Sequence, residues 1–243
     1  MPLEKMDNKG NYTKFPGITT VASVKERDYL FWENVYNLIV QTDALKDYYS
    51  PLPYASYHMT TINLYTEAAI GSKKWKNFII NNEIFFQSLQ KDFRNGAFEP
   101  QISIESIDVY GAIKILVKLP DEQNKIIHKI AKKYNLQSEV PHEYHITLAY
   151  QIKYLEKSEQ SKIKEYLQHK LNELLSLYNN PLVLDTPNLC FFNDMTAFIP
   201  WDGAQFPFQE HKNFGLSASF FVKKENADTK YESNKKDGFC NIM

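Results

Sequence analysis

Two stretches of the chain repeat one another, Tyr57-His58-Met59-Thr60 and Tyr144-His145-Ile146-Thr147. Each places a threonine two residues after a histidine and then continues into strand-like residues. Because successive side chains of a β-strand point to opposite faces, a histidine and a threonine at this spacing share one face. We therefore predict two strands that present two imidazoles and two hydroxyls to a common groove.

The same alternation assigns the neighbouring residues to the two faces of each predicted strand. The repeated tyrosines fall on the face opposite the histidines, so we interpret them as packing residues. We expect Tyr57, Met59, Tyr144 and Ile146 to face the helices, and His58, Thr60, Ile62, His145, Thr147 and Ala149 to line the groove.

The specificity of the repeat comes from its context. A histidine followed two residues later by serine or threonine is a short pattern that also occurs by chance. The alternative interpretation is that these are simply polar residues that cap edge strands. Both copies here carry a preceding tyrosine and an intervening apolar residue. The other four histidines of the chain lack a serine or threonine at that offset. This shared context favours a paired functional motif.

The order of predicted elements surrounds each motif strand with helices. Apolar residues recur at helical spacing over 28–48, 73–93, 121–134 and 158–178, and β-branched or apolar runs predict strands at 17–24, 102–109, 112–119, 143–151, 181–185, 188–199 and 216–222. We predict an α+β fold of two pseudo-symmetric lobes, with antiparallel sheets lining a central groove and helices outside. The predicted domain covers 15–222, between a flexible N-terminus (1–14) and a flexible tail (223–243).

The paired motif resembles the signature of the two-histidine (2H) phosphoesterase superfamily, and the resemblance extends from about Phe15 to Trp201. The stretch from Phe15 to Ala22 is similar to an uncharacterised branch of that superfamily. The resemblance implies the two-lobed fold and metal-independent catalysis without a cofactor. It also implies that His58 and His145 are catalytic and that Thr60 and Thr147 bind phosphate.

These residue types suit the cleavage of a phosphodiester. Histidine has an unperturbed pKa near neutrality, so two histidines can take up and release protons on opposite sides of a phosphate. Threonine hydroxyls can donate hydrogen bonds to its non-bridging oxygens. Which histidine is the base stays open, because the two roles exchange when the reaction runs in reverse.

A metal site is the alternative for part of this region. His142-Glu143-Tyr144-His145 is one residue shorter than the His-Glu-x-x-His motif of metalloproteases, and it lies in a predicted strand, where the helical pairing of the two ligands is absent. We therefore predict no bound metal.

Composition limits the partners. The 243 residues carry a formal net charge of −1 and a pI of about 6.6, whereas a protein that binds long nucleic acid needs a basic surface. We expect a nucleotide or short oligonucleotide as substrate and no binding of long duplex nucleic acid. We also expect the protein to be a monomer.

The first fifteen residues lack a signal-peptide core and no apolar run could span a bilayer, which predicts a cytoplasmic protein.

The two cysteines have different contexts. Cys190 lies in an apolar run and is expected to be a core residue. Cys240 begins Cys240-Asn241-Ile242-Met243, which matches a prenylation box that favours farnesyl, although asparagine departs from the aliphatic pattern. Prenylation would place the protein on the cytosolic face of membranes, in a host cell if the producing organism lacks a prenyltransferase.

The sequence thus predicts a phosphodiesterase that acts on a nucleotide cyclic phosphate or a short oligonucleotide end, with a 2′,3′-cyclic or a 2′,5′ linkage. Two alternatives stay open. The protein could be a lipid-anchored module that binds a phosphorylated ligand in this groove without turnover. Alternatively, the groove could join RNA ends by the reverse reaction.

Overall fold

A computed structural model describes residues 5–178 and 181–208. The predicted strand 216–222, the predicted tail and Cys240 lie outside the described residues, and so does the boundary at 222. Within the described part, none of the helices is both long and apolar enough to cross a membrane.

The strands of the described residues join one antiparallel sheet with the order β7-β4-β5-β6-β3-β1-β8-β9, and β2 pairs with β6 beside β3. This confirms a fold of helices packed with antiparallel sheet, which curls into a half-barrel. The two predicted motif strands, β3 and β6, are neighbours in the middle of the sheet. The strands are β1 (Gly17–Ser23), β2 (Tyr49–Pro51), β3 (His58–Thr66), β4 (Gln101–Asp108), β5 (Ala112–Lys118), β6 (Tyr144–Gln151), β7 (Leu182–Val183), β8 (Asn188–Phe192) and β9 (Ile199–Pro200).

Helices pack against the sheet and enclose the hydrophobic core. In all of the described helices except the short Glu67–Ile70, apolar residues at helical spacing form a buried stripe, and the opposite face is exposed. Phe31 and Trp32 of the first helix and Phe86 of the fourth are fully buried. The helices are α1 (Tyr29–Gln41), α2 (Glu67–Ile70), α3 (Ser72–Asn81), α4 (Glu83–Asn95), α5 (Asp121–Lys133) and α6 (Lys157–Ser176).

Three predicted elements are shorter or divided in the structure. The helix predicted over 73–93 is split at Asn82, whose side-chain amide donates a hydrogen bond to the Phe78 carbonyl (2.8 Å) and competes with the regular ladder. The helix predicted over 28–48 ends at Gln41, since Thr42 is extended and residues 49–51 pair with β6. The strand predicted over 188–199 is interrupted between β8 and β9.

Residues 5–14 belong to the segment predicted to be flexible, and in the structure they contact the sheet. Met6 is buried and forms a β-bridge with Tyr12, whose hydroxyl donates to the Ser50 carbonyl at 2.8 Å. The Asp7 carboxylate accepts from the backbone N–H groups of residues 9 and 11, both at 2.8 Å, and so closes the turn between the bridged residues. Local side-chain capping and one buried methionine therefore hold residues 5–14 against the sheet.

Candidate active site

The two motif strands meet at an antiparallel pair formed by Met59 and Ile146. Extending this register by one residue in each direction places His58 opposite Thr147, and Thr60 opposite His145. The two histidines are therefore diagonal neighbours, a relation in which Cα atoms lie about 7–8 Å apart. In this extended register, each histidine is the cross-strand neighbour of the other motif's threonine.

A β-bulge follows the motif threonine in both strands. Thr61 is an extra residue of β3 between the pairs Val21–Thr60 and Thr20–Ile62, and Leu148 is an extra residue of β6 opposite β5. An extra residue reverses the alternation of faces beyond it. The prediction that Ile62 and Ala149 line the groove is therefore wrong, because both are buried in the core.

Before the bulges, alternation holds as predicted. Tyr57 is fully buried, and Tyr144 is buried with its hydroxyl donating to Asn124 Oδ1 at 2.9 Å. Met59 and Ile146 are fully buried as well. The repeated tyrosines are thus packing residues of the core.

The bulges bring two further polar side chains into the groove, Asn63 and Tyr150. They occupy equivalent positions, each five residues after its histidine. Simple alternation assigns both side chains to the opposite face, so the sequence did not predict them as groove residues. The equivalent spacing in the two repeats is visible in the sequence, but nothing in the two residue types indicates a shared role.

The four predicted site residues line one groove of about 300 Å³. His58 and Thr60 come from β3, and His145 and Thr147 come from β6. Among the described residues, neither threonine hydroxyl has a hydrogen-bond partner. The remaining lining is largely apolar and includes Phe15, Leu64, Phe192, Met195 and Phe198.

Both imidazoles are held in the same tautomer. His58 Nδ1 lies 2.7 Å from the Ser56 carbonyl oxygen, and His145 Nδ1 lies 3.2 Å from the Glu143 carbonyl oxygen. A carbonyl oxygen can only accept, so each Nδ1 carries the hydrogen and donates it. In the neutral ring, Nε2 then keeps its lone pair and is available to take up a proton.

Burial keeps both imidazoles neutral at neutral pH. The pKa of His58 is lowered to about 4, mainly by desolvation and also by Lys5 and by repulsion from His145 when both rings are protonated, against the hydrogen bond to Ser56. The Phe198 ring covers His58 with a centroid separation of 3.9 Å. Desolvation also lowers the pKa of His145, where Lys114 and Lys5 disfavour the imidazolium and Asp108 favours it.

Lys5 also lines the groove, although it belongs to the N-terminal segment predicted to be flexible. Its Nζ lies 3.3 Å from the Tyr150 hydroxyl, and 5.0 and 5.4 Å from the ring centroids of Tyr150 and Phe15. Nothing in the sequence around Lys5 indicates that this lysine would line the groove.

A metal centre is not formed by the side chains that the structure describes. Over residues 5–178 and 181–208, no group of three His, Cys, Asp or Glu side chains is arranged to hold an ion. His142 and Glu143 are exposed at the start of β6 and line a separate depression with Asp121 and Asn124.

Cys190 is buried, and desolvation raises the pKa of its thiol to about 12, which fits the predicted core role.

Fold and groove together define a mixed helix and antiparallel-sheet protein with two His-x-Thr strands side by side. A family model named 2H-phosphodiest, described as a domain of unknown function (DUF1868), matches residues 5–95. This match contains the first motif and supports the resemblance to the 2H phosphoesterases for that part of the chain. The second motif lies beyond it.

Relatives and solved structures extend the similarity along the chain. The chain is 25% identical to "Uncharacterized protein 127L" of Invertebrate iridescent virus 6, over 82% of this chain and 94% of that protein. A conserved protein of unknown function from Agrobacterium tumefaciens str. C58 shares the fold with a TM-score of 0.58 and 17% identity, over 81% of this chain and 89% of that one. Kluyveromyces marxianus Usb1 with uridine monophosphate aligns at a TM-score of 0.42 and 13% identity, over 77% and 98% of the two chains.

Proposed function

We propose that this protein is a phosphodiesterase whose two His-x-Thr strands cleave a phosphate ester by acid–base catalysis without a metal. The observation that carries the proposal is that both His-x-Thr motifs line one groove, on two strands joined by the Met59–Ile146 pair. Both rings donate from Nδ1 to a backbone carbonyl, so both Nε2 atoms can exchange protons with a ligand in the groove. The two threonine hydroxyls are available to the non-bridging oxygens.

In hydrolysis, we assign His58 as the base and His145 as the acid. His58 Nε2 takes the proton from water as the water oxygen attacks phosphorus in line. The bond from phosphorus to the leaving oxygen breaks, and that oxygen takes the proton from His145 Nε2. Asp108 favours the protonated form of His145, whereas the charges acting on His58 are all positive, and this difference supports the assignment.

The free groove holds both imidazoles neutral, so the acid must gain its proton together with the substrate. A phosphodiester carries one negative charge, which favours the imidazolium form of a neighbouring histidine. Substrate binding near pH 7 would then take up a proton into the groove. The finished complex contains one neutral and one protonated imidazole, as the reaction requires.

The groove supports a small nucleotide-type substrate. Its volume of about 300 Å³ and its largely apolar lining suit one nucleotide unit or the end of a short oligonucleotide. Aromatic side chains such as Phe15 and Phe192 offer faces on which a base could stack. We propose 2′,3′-cyclic nucleotides and 2′,5′-linked oligoadenylates as the first substrates to examine.

The test is turnover of these compounds with EDTA present. We expect phosphate-ester cleavage by the unmodified protein and its loss in a double variant, His58→Gln with His145→Gln. Cleavage that survives in the double variant would sink the assignment of both histidines.

A phospho-ligand-binding module is the second candidate, and the lowered pKa values of both histidines favour it, because a groove of two neutral imidazoles lacks a proton donor. Calorimetry followed by chromatography of the ligand separates the two functions. A binding module returns the cyclic nucleotide unchanged, and an enzyme opens its ring. RNA end-ligation would instead join a 2′,3′-cyclic phosphate to a 5′-hydroxyl end, which gel electrophoresis detects.

We propose separately that a prenylated Cys240 attaches the protein to membranes, on the basis of the Cys240-Asn241-Ile242-Met243 motif. One lipid gives reversible binding, so the lysine pairs at 223–224 and 235–236 would have to assist it. Cys240→Ser should release the protein from the membrane fraction of a prenylating cell. Equal membrane fractions for the two forms would refute the proposal.

A further inference from the structure

Lys5 is the cation that lines the groove in the part of the chain that the structure describes. Its side chain is half-buried, and its Nζ is flanked by the rings of Tyr150 and Phe15. It acts electrostatically on both imidazoles, since its charge contributes to lowering the pKa of each. Lys5 and the two histidines line the same groove, so a phosphate that contacts the histidines would be near the Lys5 charge.

Over residues 5–178 and 181–208, no side chain neutralises the charge of Lys5. Among the described residues, no carboxylate lies within ion-pair distance of its Nζ, and no Asp or Glu lines the groove. The hydrogen bond from Nζ goes to a neutral phenol, the Tyr150 hydroxyl. A half-buried ammonium group without an anionic partner is costly unless an anion joins it.

The backbone holds Lys5 in this position. Its carbonyl accepts from the Thr13 N–H at 3.0 Å, the following Met6 is buried, and Asp7 caps the next turn. The main chain around Lys5 is therefore held in place, and the side chain extends from it into the groove. A groove-facing lysine fixed in this way is preorganised for an anion.

We propose that Lys5 binds a non-bridging oxygen of the phosphodiester and supplies a permanent positive charge to the groove. The ligand class rests on the function proposed above. In the free groove, where both imidazoles are neutral, Lys5 gives the lining residues that the structure describes a net charge of +1, which attracts an anion. Lys5 is thus a phosphate-binding residue that lies in sequence outside both His-x-Thr motifs.

Binding can be measured separately from turnover in a His145→Gln background, with 2′,3′-cyclic AMP as the probe. Lys5→Met keeps the apolar stem of the side chain and removes the charge. Since a hydrogen bond to a charged group contributes strongly, we expect calorimetry to show a Kd raised about 10- to 100-fold. Lys5→Arg should keep most of the affinity, because guanidinium retains the charge and stacks on aromatic rings.

Lys14 supplies the matched control. It lies in the same N-terminal segment and is exposed, and it is absent from the groove lining. Lys14→Met removes the same charge from the molecule and should leave the Kd unchanged within about twofold, as expected for an exposed, screened charge. Equal affinities of Lys5→Met and Lys14→Met would overturn the proposal.

A second readout distinguishes charge from a merely structural effect. The positive charge of Lys5 lowers the pKa of His58, so NMR titration of the imidazole should show a higher His58 pKa in Lys5→Met and little change in Lys5→Arg or Lys14→Met. An unchanged His58 pKa in Lys5→Met would contradict the placement of the ammonium beside the imidazole.

Failure of the proposed catalysis remains distinguishable from failure of the Lys5 assignment. Lys5-dependent binding in a protein that turns nothing over supports Lys5 and overturns the enzyme function. Turnover by the unmodified protein with a Lys5-independent Kd overturns Lys5 alone. If 2′,3′-cyclic AMP binds neither the His145→Gln protein nor the unmodified one, the Lys5 proposal is overturned together with the ligand class.

Discussion

Met59 of β3 and Ile146 of β6 form the antiparallel pair that joins the two motif strands, and both side chains are fully buried. The pair relates the two repeats to each other, so that His58 lies opposite Thr147 and His145 opposite Thr60. Each half of the groove is therefore completed by a residue of the other repeat. The proposed chemistry needs both strands in this register, because a slip of one residue would turn either motif into the core.

Single histidine substitutions should reduce turnover without unfolding the protein. We expect His58→Gln or His145→Gln to lower kcat for a 2′,3′-cyclic nucleotide by about 10²–10⁴-fold, the usual contribution of one proton-transfer group. Glutamine keeps a polar side chain of similar reach, so the thermal midpoint should change little. Steady-state kinetics and circular dichroism measure the two effects.

His128 provides the control for these substitutions. It is exposed on α5 and has no threonine or serine two residues later. His128→Gln should keep the full kcat. A comparable loss in all three variants would mean that the effect does not come from the motif histidines.

The acid and the base should respond differently to the leaving group. A p-nitrophenyl phosphodiester releases an anion of low basicity that needs no proton, so His145→Gln should cleave it at nearly the rate of the unmodified protein. His58→Gln should remain slow, because activation of water still requires the base. The comparison is the ratio of kcat/KM for this ester to that for a cyclic nucleotide in each variant.

The opposite pattern would exchange the two assignments. If His58→Gln is rescued by the p-nitrophenyl ester and His145→Gln is not, His145 is the base. Equal losses on both substrates would indicate that neither histidine protonates the leaving group.

The sequence predicted the parts of the fold and site that depend on local pattern. The paired His-x-Thr segments, their strand character and the inward packing of Tyr57 and Tyr144 follow from alternation, which holds as far as each motif threonine. The prediction failed at the next residue. The bulges at Thr61 and Leu148 arise from pairing with β1 and β5, and no local pattern reveals them.

Long-range contacts also explain the other missed features. Lys5 reaches the groove because Met6 is buried and Tyr12 hydrogen-bonds to Ser50, a residue 38 positions away. Phe198 covers His58 from a loop that the sequence assigned to a strand. Contacts between residues so distant in the chain depend on the assembled sheet.

The depressed pKa of His58 predicts a pH-dependent stability. Its pKa is about 4 in the folded protein and near 6.5 in the unfolded chain, so the unfolded state alone takes up a proton between these values. The free energy of unfolding should therefore fall as the pH is lowered from about 6.5 to 4. The full shift corresponds to about 3 kcal/mol, and partial exposure of the ring reduces this to about 1–2 kcal/mol.

Urea titrations at several pH values measure this slope, and His58→Gln should flatten it. Phe198→Ala should also reduce it, because exposing the imidazole raises its pKa towards the ordinary value. Phe206→Ala, which removes a ring outside the groove lining, serves as the control. A slope that persists unchanged in His58→Gln would assign the effect to other groups.

Gly203, in the loop that follows β9, should not tolerate replacement by a residue with a side chain. Its φ is +84°, and a Cβ there would lie 2.5 Å from the backbone N of Gln87 and 2.7 Å from the carbonyl carbon of Phe86. This close approach to α4 lets Trp201 pack on Phe86, with ring centroids 5.3 Å apart. Gly203→Ala should combine about 1 kcal/mol of backbone strain with a clash against backbone that cannot move aside. We therefore expect the free energy of unfolding, measured in urea, to fall by about 3 kcal/mol or more.

Gly111→Ala is the matched variant, because φ there is +69° but the added Cβ meets nothing within 4 Å. It should cost only the strain of about 1 kcal/mol. Equal losses in the two variants would show that the loop yields to the added methyl group, and would remove the argument that Gly203 is required for close packing on α4.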